Sequence, residues 1–240
     1  AVRASASTVN IIMPYFGYGR QDRKDQPRVP ISSRVMIDII TSLGADRIVT
    51  MDLHSTQIQG FAKIPFDHLY SRMVLMDAIS NLGLDPATSV VLSPDVGSAA
   101  MSQAYAKRLG MHFALIDKRR FAPNQAKVSH LIGELGGKDV LIIDDMIDTA
   151  GTISNAAKVA KEKGALSVTV AATHGILSSN ALDKLSDDII HSIFITDTID
   201  MSHINNCKKL KTISSAKIFA ETINRIHSGE SVSQLFRKVT

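Results

Sequence analysis

One stretch constrains the fold of this chain more than any other: Val140-Leu-Ile-Ile-Asp-Asp-Met-Ile-Asp-Thr-Ala-Gly-Thr152. Its aliphatic, β-branched opening is too short for a buried helix and reads as a strand buried on both faces. Two carboxylates follow, then small and hydroxyl residues, and from Gly151 to Lys163 the apolar residues recur at helical spacing. A strand that runs through acids into a helix is the unit of an open parallel sheet, where ligands bind beyond the carboxyl ends of the strands. The helix start supplies unpaired N–H groups and a partial positive charge, which favour a phosphate at Thr149 to Thr152. Gly151 admits close backbone approach, and Thr149 and Thr152 add hydroxyl donors. Asp144 and Asp145 disfavour a phosphate at short range but accept hydrogen bonds from vicinal sugar hydroxyls. A sugar phosphate satisfies both ends of the loop. The alternative is a plain strand-to-helix turn in which Asp148 or Thr149 caps the helix.

The rest of the chain has the same rhythm. Strands are expected at Thr8–Pro14, Arg47–Asp52, Ser89–Pro94, His112–Asp117, Asp139–Asp144, Ser167–Thr173 and His191–Thr196, and helices at Ile31–Leu43, Ser71–Leu82, Ala99–Leu109, Gly151–Lys163 and Ser214–His227. Gly44, Gly83, Gly110 and Gly164 stand just past four of these helices, where a left-handed cap suits glycine. This alternation predicts an α/β fold, parallel sheets flanked by helices, in two similar halves that join near Leu69–Ser71. The chain opens on Ala1 and enters a strand almost at once, so the first half is expected to be incomplete, as in a chain that starts partway through a domain.

Composition narrows the function classes. The sequence is 45% hydrophobic and 21% charged, and no apolar run approaches the length of a membrane span. A formal charge of +4 with only 5% aromatic residues and clustered cations argues for anionic small molecules over nucleic acid. Cys207 is the only cysteine, so the chain has neither an internal disulfide nor a thiolate zinc site. A reducing, cytoplasmic setting is expected, with an organellar form after removal of a targeting segment as the alternative.

The Asp144–Thr152 stretch resembles the phosphoribosyl pyrophosphate loop shared by type I phosphoribosyltransferases and ribose-phosphate pyrophosphokinases. Four further segments are similar to the pyrophosphokinase family in particular: Pro14-Tyr-Phe-Gly-Tyr-Gly-Arg-Gln-Asp-Arg-Lys-Asp25, Met51-Asp-Leu-His-Ser-Thr-Gln-Ile-Gln-Gly-Phe61, Leu92-Ser-Pro-Asp-Val-Gly-Ser98 and Ile116-Asp-Lys-Arg-Arg120. Together they run in the family's order along nearly the whole chain, and Gly229-Glu-Ser-Val-Ser-Gln-Leu-Phe236 resembles its closing signature. The resemblance implies two phosphoribosyltransferase-like domains, residues 1–69 on the ATP side and 70–240 on the ribose 5-phosphate side. It implies transfer of the β,γ-diphosphate of ATP to the anomeric hydroxyl of ribose 5-phosphate, giving phosphoribosyl pyrophosphate and AMP.

The resemblance assigns residues as well. ATP would be met by Arg20, Gln21, Asp22, Arg23, Lys24 and Asp25, and ribose 5-phosphate by Asp144, Asp145, Asp148, Thr149, Ala150, Gly151 and Thr152. Mg2+ would be held by His54, Asp95 and Asp52, although magnesium ordinarily prefers oxygen ligands to histidine. Lys118 and Arg120 carry over as catalytic cations, and Gln59, Ser231 and Ser233 as a regulatory site for phosphate or ADP between subunits. Dimers assembled into a hexamer are expected, with neither a nucleic acid nor a membrane partner. Taken alone, each segment also has a plainer reading: a solvated charged loop at 20–25, a structural His54, Asp95 as a helix cap, and a basic turn at 118–120. The chain departs from the family pattern at Lys63, where many members carry an aspartate, and at Ser98, where the second glycine of a pair is usual. A non-catalytic regulatory homologue and a phosphoribosyltransferase are the competing functions.

Overall fold

The computed structural model describes residues 1–119, 128–202, 204 and 207–237. In chain order the first elements are β1 (Asn10–Ile12), α1 (Ser32–Ser42), β2 (Arg47–Met51), β3 (Phe66–Leu69), α2 (Arg72–Ser80), β4 (Ser89–Ser93), α3 (Ala99–Leu109) and β5 (His112–Arg119). Then come β6 (Val128–Ile132), β7 (Asp139–Ile147), α4 (Gly151–Glu162), β8 (Ser167–Gly175), α5 (Ala181–Leu185), β9 (Ser192–Thr196), β10 (Leu210–Ile213), α6 (Ala216–His227) and α7 (Gln234–Arg237). The chain divides into two compact units, Ala1–Met73 with Ser215–Thr240, and Val74–Ser214. The sequence led to a boundary at 69/70 with everything after it in one domain; the structure instead groups the C-terminal helices with the N-terminal unit. A physical reason is at hand in the Phe236 ring, which stands edge-on to Tyr70 with centroids 5.6 Å apart.

In the first unit, β1, β2 and β3 form a parallel sheet in that order. Phe16, Ile37 of α1, Ile48 of β2, Leu53 and Ile58 make its core. The second unit carries a seven-stranded sheet of order β10-β9-β8-β7-β4-β5-β6, parallel except where β6 runs against β5. Strand alternation divides its side chains between two faces. Val90 and Leu92 of β4 and Val140 and Ile142 of β7 pack on one side with Ile153, Ala156, Ala157 and Ala160 of α4. Val91, Leu141 and Ile143 pack on the other with Leu75 and Ile79 of α2 and Tyr105 and Ala106 of α3. Each of these large aliphatic side chains contributes roughly 1.5–3 kcal/mol on burial. That double coverage is why the central strands read as continuous apolar runs.

The expected strands and helices all occur, and Gly44, Gly83, Gly110 and Gly164 all have positive φ. Five of these elements have no counterpart in the sequence reading: β3, β6, β10 and the short helices α5 and α7. The strands among them are four or five residues long and mix polar with apolar residues, so periodicity alone did not separate them from loops.

Candidate active site

In the second unit the chain runs from β4 to β5 on one side and later returns as β7 on the other, so the strand order switches direction between β4 and β7. Such a switch point opens a crevice beyond the carboxyl ends of the two strands. The segment that follows β4 holds Asp95 and Ser98; the end of β7 holds Asp144 and Asp145. Asp144 is buried, and its Oδ1 accepts the Ser98 hydroxyl and, at 3.0 Å, the Asp145 amide. The Ser98 amide donates to Asp95 Oδ1 at 3.2 Å, and the Ser93 hydroxyl donates to the Asp95 carbonyl at 2.7 Å. Two acids from neighbouring strands are thus tied together through one serine. Burial pushes the Asp144 carboxyl up to about 8; the neighbouring Asp145 and Asp95 add to the rise, and the Ser98 hydroxyl works against it.

Beyond β7 the loop turns into α4 through Ala150, which holds a left-handed conformation at φ 57° and ψ 9°. Asp148 does not cap this helix: its Oδ1 accepts the Ser178 hydroxyl at 2.5 Å, while its carbonyl accepts the Ser178 amide at 3.1 Å. No side chain caps α4, and its first turn contains no acid. The capped-turn alternative is therefore not the arrangement adopted. Lys184 of α5 donates to the Thr149 carbonyl at 2.8 Å and fixes the loop from below. A Cβ at Gly151 would meet nothing closer than the Thr149 hydroxyl at 3.7 Å, so the backbone there is open to approach. The result is an uncapped helix start a few residues from a pair of acids, a geometry that suits a phosphate at one end and hydroxyls at the other.

The first unit has its own cluster at the carboxyl ends of its strands. The loop after β1 is pinned where the Gln21 carbonyl accepts both the amide and the hydroxyl of the buried Ser33, at 3.2 and 3.0 Å. Gly19 passes close to the segment after β2: a Cβ there would stand 3.2 Å from the Phe16 carbonyl and 3.7 Å from His54 Cβ. That approach brings the loop backbone at Gly19 up to His54. Arg20, Gln21, Arg23, Lys24 and Asp25 are exposed and Asp22 is half-buried. His54 is exposed, and the turn before it is held by His68, whose Nε2 accepts the Leu53 amide at 2.9 Å. Asp52 is buried, with φ 36°, and its Oδ2 accepts the Ser71 amide at 3.1 Å.

Comparison with known proteins identifies relatives along nearly the whole chain. Residues 1–44 match the family model described as the N-terminal domain of ribose phosphate pyrophosphokinase, and residues 120–237 match the one described as the phosphoribosyl synthetase-associated domain. The ribose-phosphate pyrophosphokinase of Chlorobaculum tepidum is 48% identical over 236 residues, spanning 98% of this chain and 72% of that protein. That of Helicobacter pylori is 42% identical over 234 residues, with 98% and 72% covered. The chain belongs to the ribose-phosphate pyrophosphokinase family. The crystal structure of the Mycobacterium smegmatis phosphoribosylpyrophosphate synthetase superposes with a TM-score of 0.88 at 36% identity, over 95% of this chain and 74% of that one.

Against that family background, the remaining expected residues fall as follows. His54 and Asp52 lie in the first unit and Asp95 in the second, and among the described residues no three metal-binding side chains gather into one cage. Asp95, beside the Asp144–Asp145 pair, is an oxygen donor of the kind magnesium takes, and magnesium binds proteins through as few as one or two ligands. The Lys118 backbone lies in β5 opposite Ser129 of β6. Arg120 lies outside the described residues. Gln59 donates to the Thr56 carbonyl at 3.0 Å, and Ser231 and Ser233 are exposed in the same unit. Asp67, four residues after Lys63, forms a 2.6 Å ion pair with Arg47. Sequence reasoning passed over Ser178, Lys184 and His68. No local pattern marks them, because each acts on a backbone or carboxylate at least 15 residues away.

Proposed function

We propose that this member of the ribose-phosphate pyrophosphokinase family transfers the β,γ-diphosphate of ATP to the anomeric hydroxyl of ribose 5-phosphate, releasing AMP and phosphoribosyl pyrophosphate. The observation that carries the proposal is the pairing, at the β4/β7 switch point, of Asp144 and Asp145 with the uncapped start of α4. Asp144 and Asp145 receive the sugar hydroxyls. Asp148, Thr149, Ala150, Gly151 and Thr152 shape the cradle for the 5-phosphate, whose charge the helix start favours. Arg20, Gln21, Asp22, Arg23, Lys24 and Asp25 meet the nucleotide.

In the first unit His54 and Asp52, and in the second Asp95, would serve as Mg2+ ligands; when bound, magnesium offsets charge on phosphate oxygens. Attack of the anomeric oxygen on the β-phosphorus leaves the protein mainly positioning and charge stabilisation to supply. Lys118 and Arg120 supply that stabilisation on the transferred and leaving oxygens. Gln59, Ser231 and Ser233 form a regulatory phosphate or ADP site with a neighbouring subunit, in dimers that assemble into a hexamer. Among the described residues no helix is long and apolar enough to cross a membrane.

The test is a magnesium-dependent assay of AMP and phosphoribosyl pyrophosphate formation from ATP and ribose 5-phosphate. Stoichiometric appearance of both products is expected. Binding of ribose 5-phosphate without product would shift the reading to a regulatory homologue, and absence of binding would refute the site.

A further inference from the structure

Ser98 occupies the residue that begins α3, a position where serine is favoured because its hydroxyl oxygen accepts an amide from the helix's own first turn. Here it makes no such bond. The hydroxyl is donated instead across the switch point to Asp144 Oδ1, 46 residues away, while the Ser98 amide holds Asp95 Oδ1 at 3.2 Å. The residue is more than nine-tenths buried, at 8% exposure, so the bond is shielded from solvent. A capping bond stabilises a helix, and a serine that forgoes one to orient a carboxyl acts on the site more than on the helix. The same Oδ1 also takes the Asp145 amide at 3.0 Å. With one oxygen held by two donors, the plane of the carboxyl is fixed.

We propose that Ser98 is a positioning residue for the sugar: it orients the Asp144 carboxyl for one ribose hydroxyl and, through Asp95, couples that orientation to the neighbouring acid. The inference rests on the reading of the β4/β7 crevice as the ribose 5-phosphate site. It gives Ser98, where this chain departs from its family's usual glycine, a part in selecting sugars by their hydroxyls.

The test measures the affinity of the purified protein for ribose 5-phosphate, 2-deoxyribose 5-phosphate and 3-deoxyribose 5-phosphate by calorimetry, and for ATP separately. Ser98→Ala should weaken ribose 5-phosphate binding roughly tenfold, as expected for the loss of a hydrogen bond to a carboxyl, and leave ATP binding within about twofold. With whichever deoxy sugar lacks the hydroxyl that Asp144 accepts, the penalty should fall below about twofold, since the bond being oriented is then absent. Ser98→Thr, which keeps the hydroxyl, should restore most of the affinity. Ser98→Cys, nearly isosteric but a weak donor, carries the same test if the alanine variant loses its fold by circular dichroism.

Ser102→Ala is the structural control. Ser102, also in α3 and fully buried, donates to the Ile143 carbonyl of β7 at 3.1 Å. Its loss should lower the melting temperature and leave the discrimination among the three sugars unchanged. An equal penalty on all three sugars, or none on any, would overturn the role of Ser98 while leaving the site in place. Failure of the unmutated protein to bind ribose 5-phosphate would instead overturn the site, and the proposal with it.

Discussion

Asp144→Asn probes the electrostatic state of the crevice through stability alone. Burial, reinforced by Asp145 and Asp95, raises the Asp144 carboxyl from 3.8 to about 8. In the unfolded chain the group ionises near its ordinary value, so between those limits the folded protein binds a proton that the unfolded protein has lost. The unfolded state binds fewer protons there, and stability falls as pH rises through the window, by up to about 1.4 kcal/mol per unit. Asparagine reproduces the protonated carboxyl: its oxygen still accepts from Ser98 and the Asp145 amide, and it does not titrate. The variant's stability relative to the unmutated protein should therefore increase by roughly 2–3 kcal/mol between pH 5 and pH 7, both well inside the window. At roughly 2–4 °C per kcal/mol for a chain of this size, the relative melting temperature should move by about 5–10 °C. Urea titrations at the two pH values, followed by circular dichroism because the chain has no tryptophan, measure the difference directly. An equal stability difference at pH 5 and pH 7 would refute the reasoning, since it would mean that Asp144 carries the same charge in both states of the protein.

Lys118→Ala should depress kcat far more than it weakens substrate binding in steady-state and binding measurements; matched losses would count against a catalytic cation. Ser178→Ala removes the 2.5 Å donor from Asp148 and loosens its hold on the loop between β7 and α4. Calorimetry should show ribose 5-phosphate binding weakened several-fold with ATP binding unchanged, whereas unaltered sugar affinity would show that Asp148 keeps its place without Ser178. Gly133→Ala should cost more than about 1 kcal/mol in a denaturation experiment. The glycine has φ 102°, and its new Cβ would stand 2.9 Å from Ala114 Cβ and 3.1 Å from the Phe113 carbonyl; a stability within error of the parent would sink the steric argument.

The sequence by itself determined the layered α/β architecture, because strands buried on both faces must be continuously apolar and the covering helices must carry an apolar stripe. Val140–Thr152 also carried the proposal for its use, since acids, hydroxyls and a helix start follow a buried strand within a dozen residues. Those signals are local, and local signals survive without a fold. The tertiary structure decided what depends on which strands become neighbours. Insertion of β4 between β5 and β7 brings the Ser98 hydroxyl to Asp144 and buries that carboxyl deeply enough to hold its proton near neutrality. Packing likewise placed residues 215–237 with the first unit through contacts such as Tyr70–Phe236, and it gave Asp148 to Ser178 rather than to α4. Periodicity carries none of this information, because hydrogen bonds and burial between residues far apart in sequence exist only once the sheet order is set.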